Sequence, residues 1–220
     1  MLISTTKKFI FFHNYKVAGT SIRKALKLYE SKPFYIFSRL IQKMGLQNKG
    51  VFKIFNSHVS ASTAKEFLPK SVYDNYFKFG FVRNPWSWQV SLYTYMLKNN
   101  KHYQHEIIKS LGSFKEYLLW RIQNELRLQK DFFYDSDNNA IVDFIGKHEN
   151  INDDFKIICE KFDVYGIELP VLNKSSKFEW SKYYDLESFE MVKSAYREDI
   201  DCFDYTDDAS YYGITDNAQV

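Results

Sequence analysis

The chain has 220 residues, 45% apolar and 26% charged, with eight glycines, four prolines, two cysteines and a formal net charge of +3. That length supports one domain with a substantial core, and the composition excludes disordered, collagen-like and disulfide-stapled chains. A sequence pI near 8.6 suits an anionic ligand but falls short of the clustered basicity of a nucleic-acid binder.

In chain order, the first element is residues 9–12 (FIFF), a short and wholly apolar run of the kind that forms a buried strand. It breaks at His13 into a turn reaching Gly19, and Thr20 opens a segment with Ile22, Ala25, Leu26 and Leu28 at helical spacing. Strand, glycine-bearing turn and helix start together make an anion site, because unbonded amides and the positive helix end face the turn. Thr20 and Ser21 add hydroxyl donors, and Lys16 adds a cation. The pattern is not the nucleoside-triphosphate loop: G-x-x-x-x-G-K-[ST] occurs nowhere, and the lysine precedes the glycine. On spacing alone, an anion loop and an ordinary connection both remain open.

Residues 31–53 hold Lys32, Arg39, Lys43, Lys49 and Lys53 and no acidic residue, with Phe34, Phe37, Leu40, Ile41 and Met44 at helical spacing. This predicts an amphipathic helix with a basic face, either a solvated surface or a wall for an acidic acceptor. Residues 51–55 alternate as a second strand, followed by Asn56-Ser57-His58; Ser60 or Ser62 caps a helix through Leu68 that stops at Pro69. Residues 76–82 (YFKFGFV) read as a third strand, and Arg83-Asn84-Pro85 as a cap and first helical residue for a helix over 85–98. Residues 101–129 read as helical throughout, with a cap at Ser113. A strand over 140–145, a helix capped by Asn152, a loop over 169–176 and a last helix over 186–199 complete the domain. From Thr206 the chain is polar and expected to fray. The division is a core of about residues 7–205 with a polar tail over 206–220, in one domain.

Alternating strands and helices predict an α/β fold of three layers, a central mostly parallel sheet covered on both faces. Ligands in such folds bind at the carboxyl ends of the strands. The turn 13–21, His58 and Arg83 each follow a predicted strand, so a parallel sheet would bring all three to one rim. Ser91 lies seven residues after the Asn84 cap, close to two helical turns, on the same face. Arg83 and Ser91 are therefore a candidate phosphate grip, although an arginine at a strand end also commonly pairs with a carboxylate.

Two motifs carry a family resemblance. Lys16-Val-Ala-Gly-Thr-Ser21 resembles the 5′-phosphosulfate loop of sulfotransferase family 2, the carbohydrate sulfotransferase-like group, usually written H-x-P-K-x-G-G-T-S; Tyr15 replaces the proline and Ala18 the first glycine. The stretch from Phe81 to Tyr93 (FVRNPWSWQVSLY) resembles the family's 3′-phosphate segment, F-x-R-[DN]-P-x5-S-x-Y. Ser57-His58-Val-Ser-Ala61 is similar to the segment bearing the family's general base, and later stretches at 148–155, 169–173 and 196–205 resemble further landmarks. The loop 173–176 closes over the nucleotide in relatives.

The resemblance implies a P-loop NTPase-like sulfotransferase fold and the donor 3′-phosphoadenosine-5′-phosphosulfate (PAPS, leaving PAP), with no metal required. It implies that Lys16, Ala18, Gly19, Thr20 and Ser21 hold the 5′-phosphate, Arg83 and Ser91 the 3′-phosphate, that Lys16 stabilises the leaving oxygen and His58 takes the acceptor proton. His13 supports the loop. The implied acceptor is a carbohydrate or other hydroxylated (or amine) compound, possibly acidic. The alternative is a nucleotide- or glycan-binding protein of the same fold without transfer. A magnesium-dependent phosphotransferase lacks its Walker-type lysine here.

Other constellations fail. Asp135-Ser-Asp-Asn-Asn139 starts like a calcium loop but has Ala140 where glycine is required. His102 and His105 have no third ligand in view. Cys159 and Cys202 sit among apolar residues as reduced thiols, no apolar run reaches membrane-helix length, and residues 1–8 lack a signal peptide's pattern. Animal members of the family usually carry a Golgi anchor, so the expectation here is a soluble, bacterial-type, cytoplasmic enzyme.

Overall fold

The computed structural model describes residues 1–46, 50–55, 58–169 and 179–215. The elements in chain order are β1 (Leu2–Ser4), β2 (Phe9–Phe12), α1 (Gly19–Ala25), α2 (Lys32–Lys43), α3 (Ala61–Phe67), α4 (Lys70–Asn75) and β3 (Phe77–Val82). They continue with α5 (Pro85–Lys98), α6 (His105–Ser110), α7 (Phe114–Glu125), β4 (Phe144–Lys147), α8 (Ile151–Lys161), α9 (Leu186–Ala195) and α10 (Arg197–Cys202). The fold is α/β, a four-stranded mixed sheet flanked by helices.

Two compact units are present: Met1–Val82 with Gln129–Pro170, and Arg83–Leu128 with Val171–Val220. The first holds the sheet, in the order β1-β2-β3-β4. β2 and β3 run parallel, with Phe12 opposite Gly80, and β3 and β4 run parallel, with Val82 opposite Lys147. β1 pairs antiparallel with β2, which makes the sheet mixed. The phenylalanines on alternate strand positions supply the core: Phe9 meets Phe79 edge-on at 5.7 Å and Phe162, at the end of α8, at 5.0 Å. Phe155, Ile158 and Cys159 of α8 are buried with them. Such ring pairs favour tilted and edge-to-face geometry because ring edges are positive and faces negative.

The second unit is helical. Asn84 caps α5 by accepting from the Ser87 amide at 3.0 Å, and Pro85 stands in the first turn. Trp86 stacks on Phe189 of α9 at 4.4 Å and donates its indole N–H to the Phe189 carbonyl, so its polar edge is satisfied where its ring is buried. Tyr117 of α7 donates to Gln89 Oε1 at 3.1 Å. Asn84 Nδ2–H donates to the Tyr212 hydroxyl, which donates in turn to the Thr206 carbonyl.

Several expectations are corrected. Residues 51–55 form part of a 3-10 helix (Gly50–Phe55), not a strand, so His58 does not follow a strand end. β4 covers Phe144–Lys147 rather than 140–145; upstream, Asp143 is tied to Lys78 by backbone and carboxylate bonds, and Ala140 makes only an isolated bridge with Tyr134. The stretch 101–129 is two helices separated at Gly112, whose φ of 78° ends the first. The last helix divides at Tyr196 into α9 and α10. Asn150 rather than Asn152 precedes α8. The polar tail does not wholly fray, since Tyr212 and Ile214 are buried. Lys49, Ser57 and the loop 173–176 lie outside the described residues.

Candidate functional site

In the first unit the chain leaves β2 at Phe12 and turns over residues 13–18 into α1. Asn14 is buried, and its Oδ1 accepts the Tyr15 amide at 2.7 Å. Val17 is fully buried and pins the middle of the turn to the core. Lys16 (φ 55°) and Ala18 (φ 58°) both lie in the left-handed region. Ala18 therefore keeps the backbone that the family pattern assigns to glycine, at a cost of about 1–2 kcal/mol for a residue with a Cβ. The Ala18 carbonyl accepts the Ser21 and Ile22 amides, which starts α1. The amides of Gly19 and Thr20 head that helix, where no preceding turn accepts from them.

Gly19 is required by contact. A Cβ there would lie 1.9 Å from His13 Cδ2 and 2.4 Å from His13 Nε2. The imidazole of His13 thus fills the space beside the glycine, and its opposite surroundings are Phe11, stacked at 6.1 Å, and the His58 ring at 4.7 Å. His13 is a buttress of the loop, as expected.

His58 reaches this loop although its own segment is not a strand. Its Nδ1 lies 2.8 Å from the His13 carbonyl oxygen, which can only accept; Nδ1 therefore carries the proton and Nε2 the lone pair. Tyr15 stacks on the other side of the ring at 3.5 Å and 20°. Burial lowers the His58 pKa to about 4 despite the opposing bond to His13, and burial together with the His58 ring lowers that of His13 to about 3. Both imidazoles are neutral near pH 7.

In the second unit, Arg83 is the residue immediately after β3. Arg83 Nε–H donates to Ser87 Oγ at 2.8 Å, and Ser87 Oγ–H donates to the Asn84 carbonyl at 3.2 Å. Ser91 lies one turn beyond Ser87 on α5. Arg83 therefore lies along the helix face that carries Ser91. Ser87 was not singled out from the sequence; its spacing of four from both Arg83 and Ser91 was the available signal.

The structure thus brings Lys16, Ala18, Gly19, Thr20, Ser21 and His58 together in the first unit, and Arg83 with Ser91 on one helix face in the second. The histidines 102 and 105 are used locally: His105 Nδ1–H donates to the Met96 carbonyl, and His102 Nδ1 accepts the Gln104 amide. Among the described residues no group of three or more metal-ligating side chains converges.

A model described as the Sulfotransferase family matches residues 1–206, taking in the loop, His58 and the Arg83–Ser91 segment. The chain belongs to the sulfotransferase family. It is also 32% identical over 95 residues to an uncharacterized protein of Archaeoglobus fulgidus, a match covering 42% of this chain and 72% of that relative. No solved structure matches. Membership of the sulfotransferase family supports a transferase that acts on an acceptor substrate. Among the described residues no helix is long and apolar enough to cross a membrane.

Proposed function

We propose that this sulfotransferase uses 3′-phosphoadenosine-5′-phosphosulfate, and that its acceptor is a hydroxyl or amine, with a carbohydrate hydroxyl the first candidate. The observation that carries the proposal is the loop after β2, with a lysine, two hydroxyls and no carboxylate over residues 16–21, clasped by an imidazole of fixed tautomer. That donor set fits a phosphate-bearing group. The loop serves as the P-loop-like element of a largely parallel α/β core, and residues 1–220 work as one sulfotransferase domain. Cys159 and Cys202, as thiols, suit a cytoplasmic setting.

The donor supplies an activated sulfuryl group. The chain's residues do the rest. Lys16 stabilises the negative charge that collects on the departing phosphate oxygen as the S–O bond breaks. Ala18, Gly19, Thr20 and Ser21 hold the 5′-phosphate through amides and hydroxyls, and Arg83 with Ser91 holds the 3′-phosphate. His58 Nε2 takes the proton from the acceptor as its oxygen or nitrogen bonds to sulfur. Burial weakens His58 as a base, and an anion in the loop opposes that by favouring the imidazolium. No metal enters this scheme.

The low basicity of His58 is also what favours the second reading, a nucleotide- or glycan-binding protein of this fold without transfer. One experiment separates them. The purified chain is titrated calorimetrically with adenosine 3′,5′-bisphosphate with and without magnesium, then assayed for transfer of labelled sulfate to a panel of glycans, lipids and hydroxylated metabolites. Binding without magnesium that collapses in Arg83→Ala, and turnover that falls about 10²–10⁴-fold in His58→Ala with binding intact, support the transferase. Equal affinity in wild type and Arg83→Ala removes Arg83 from the site, and unchanged turnover in His58→Ala removes the base.

A further inference from the structure

α2 presents an apolar face to solvent. Ser38 and Ile41 are its buried residues. Ile36 is 65% exposed, Phe37 47%, Leu40 49% and Met44, at its C-cap, 58%. The spacing i, i+1, i+4, i+8 puts these four on one strip of the helix surface. Lys32, Arg39 and Lys43, spaced i, i+7, i+11, form the adjoining strip on the side away from Ile41, and all three are exposed. The helix contains no acidic residue. Singly exposed apolar side chains are common on protein surfaces. Four on one strip, edged by three cations of the same element, go beyond such scattered exposure.

From this juxtaposition we propose that α2 is an interfacial helix that seats the protein on an anionic phospholipid surface, the strip of Ile36, Phe37, Leu40 and Met44 entering the acyl boundary and Lys32, Arg39 and Lys43 meeting the headgroup phosphates. The charge pattern selects this occupant. Membrane-surface helices combine a basic polar flank with a bulky apolar face and low net hydrophobicity. A second copy would bring the same cations against one another, and protein interfaces are depleted of lysine at their centres. One face of a 12-residue helix also falls short of the roughly 1,000 Å² that a stable protein interface needs, whereas lipid requires no matching surface. The proposal stands apart from the transfer reaction, since none of these residues holds donor or takes a proton.

The test uses the full chain and sedimentation with vesicles of phosphatidylcholine alone or mixed with phosphatidylglycerol, at about 0.1 M salt. Binding is expected to the mixed vesicles, weaker binding to neutral ones, and loss as salt rises. Replacing Lys32, Arg39 and Lys43 by Gln should weaken partitioning about fivefold per cation. Ile36→Ser with Leu40→Ser should abolish it, with the circular dichroism spectrum and melting temperature little changed because both side chains are exposed. Three outcomes overturn the proposal: no binding of the wild-type chain to mixed vesicles, binding that neither set of variants reduces, or equal binding to neutral and anionic vesicles. A concentration-dependent dimer that the Ile36/Leu40 variant dissociates, without vesicle binding, also overturns it and assigns the face to a second copy.

Discussion

Substituting Gly19 by Ala sets two effects of opposite sign against each other. Gly19 opens α1, and its φ does not demand glycine, so an alanine there gains at most about 0.5–1 kcal/mol of helix propensity and unfolded-state entropy. Against this, the new Cβ lies 1.9 Å from His13 Cδ2, where ordinary contact begins at 3.4 Å, so the imidazole must retreat by about 1.5 Å. It has little room, with Phe11 and the His58 ring packed about it. Overpacking of this kind costs about 1–3 kcal/mol. The clash wins. Gly19→Ala should lower the melting temperature by about 2–8 °C in a chain of this size. The decisive assay is a double-mutant cycle followed by thermal circular dichroism. In a His13→Ala background the clash is gone, and Gly19→Ala should become neutral or stabilising. The same destabilisation in both backgrounds would refute the steric account of Gly19.

Three further expectations rest on the same loop and its partner segment. Ala18→Gly relieves a left-handed alanine and should raise stability by up to about 1 kcal/mol, read as a shift in urea midpoint at constant slope. Stability should fall with acidification: the unfolded imidazoles protonate below about 6.5, whereas folded His58 and His13 hold out to about 4 and about 3, so the folded state binds fewer protons through that interval. Stability is therefore full above about 6.5 and declines toward 4, by at most about 1.4 kcal/mol per pH unit for each histidine; urea midpoints at successive pH values should show a shallower decline in His58→Ala. Ser87→Ala removes the acceptor that fixes Arg83 Nε, and should weaken adenosine 3′,5′-bisphosphate binding about tenfold without abolishing it, whereas an unchanged calorimetric affinity would mean that Ser87 does not orient Arg83.

What the sequence discloses is what local chemistry decides. The Asn84-Pro85 start of α5 and the caps Ser60 and Ser113 are read from single residues, and each side chain accepts the amide three residues on. The run FIFF is apolar enough to leave no choice but burial, and the last four residues of FKFGFV are buried likewise. What escapes is decided at a distance. β1 is three residues long and exists because it pairs with β2. Residues 51–55 carry an apolar pattern that suits a strand or a helical turn equally, and among the described residues no strand pairs with them to settle it. Of the candidate site, the loop and the Arg83 segment are legible because their motifs are contiguous. The clasp of His58 on the His13 carbonyl, 45 residues away, is not. Nor does sequence alone reveal the His13 ring beside Gly19.

Tyr15 stands where the family pattern has proline, and its amide is held by Asn14. A proline there would offer no N–H to Asn14; here that hydrogen bond between consecutive residues and a stack of the Tyr15 ring on His58 hold the position. The loop therefore carries an exchangeable proton at its apex that a proline-bearing relative lacks. Deuterium uptake at the Tyr15 amide reads how often the Asn14 bond breaks, and slower uptake on addition of adenosine 3′,5′-bisphosphate would report binding at the loop without any acceptor or turnover.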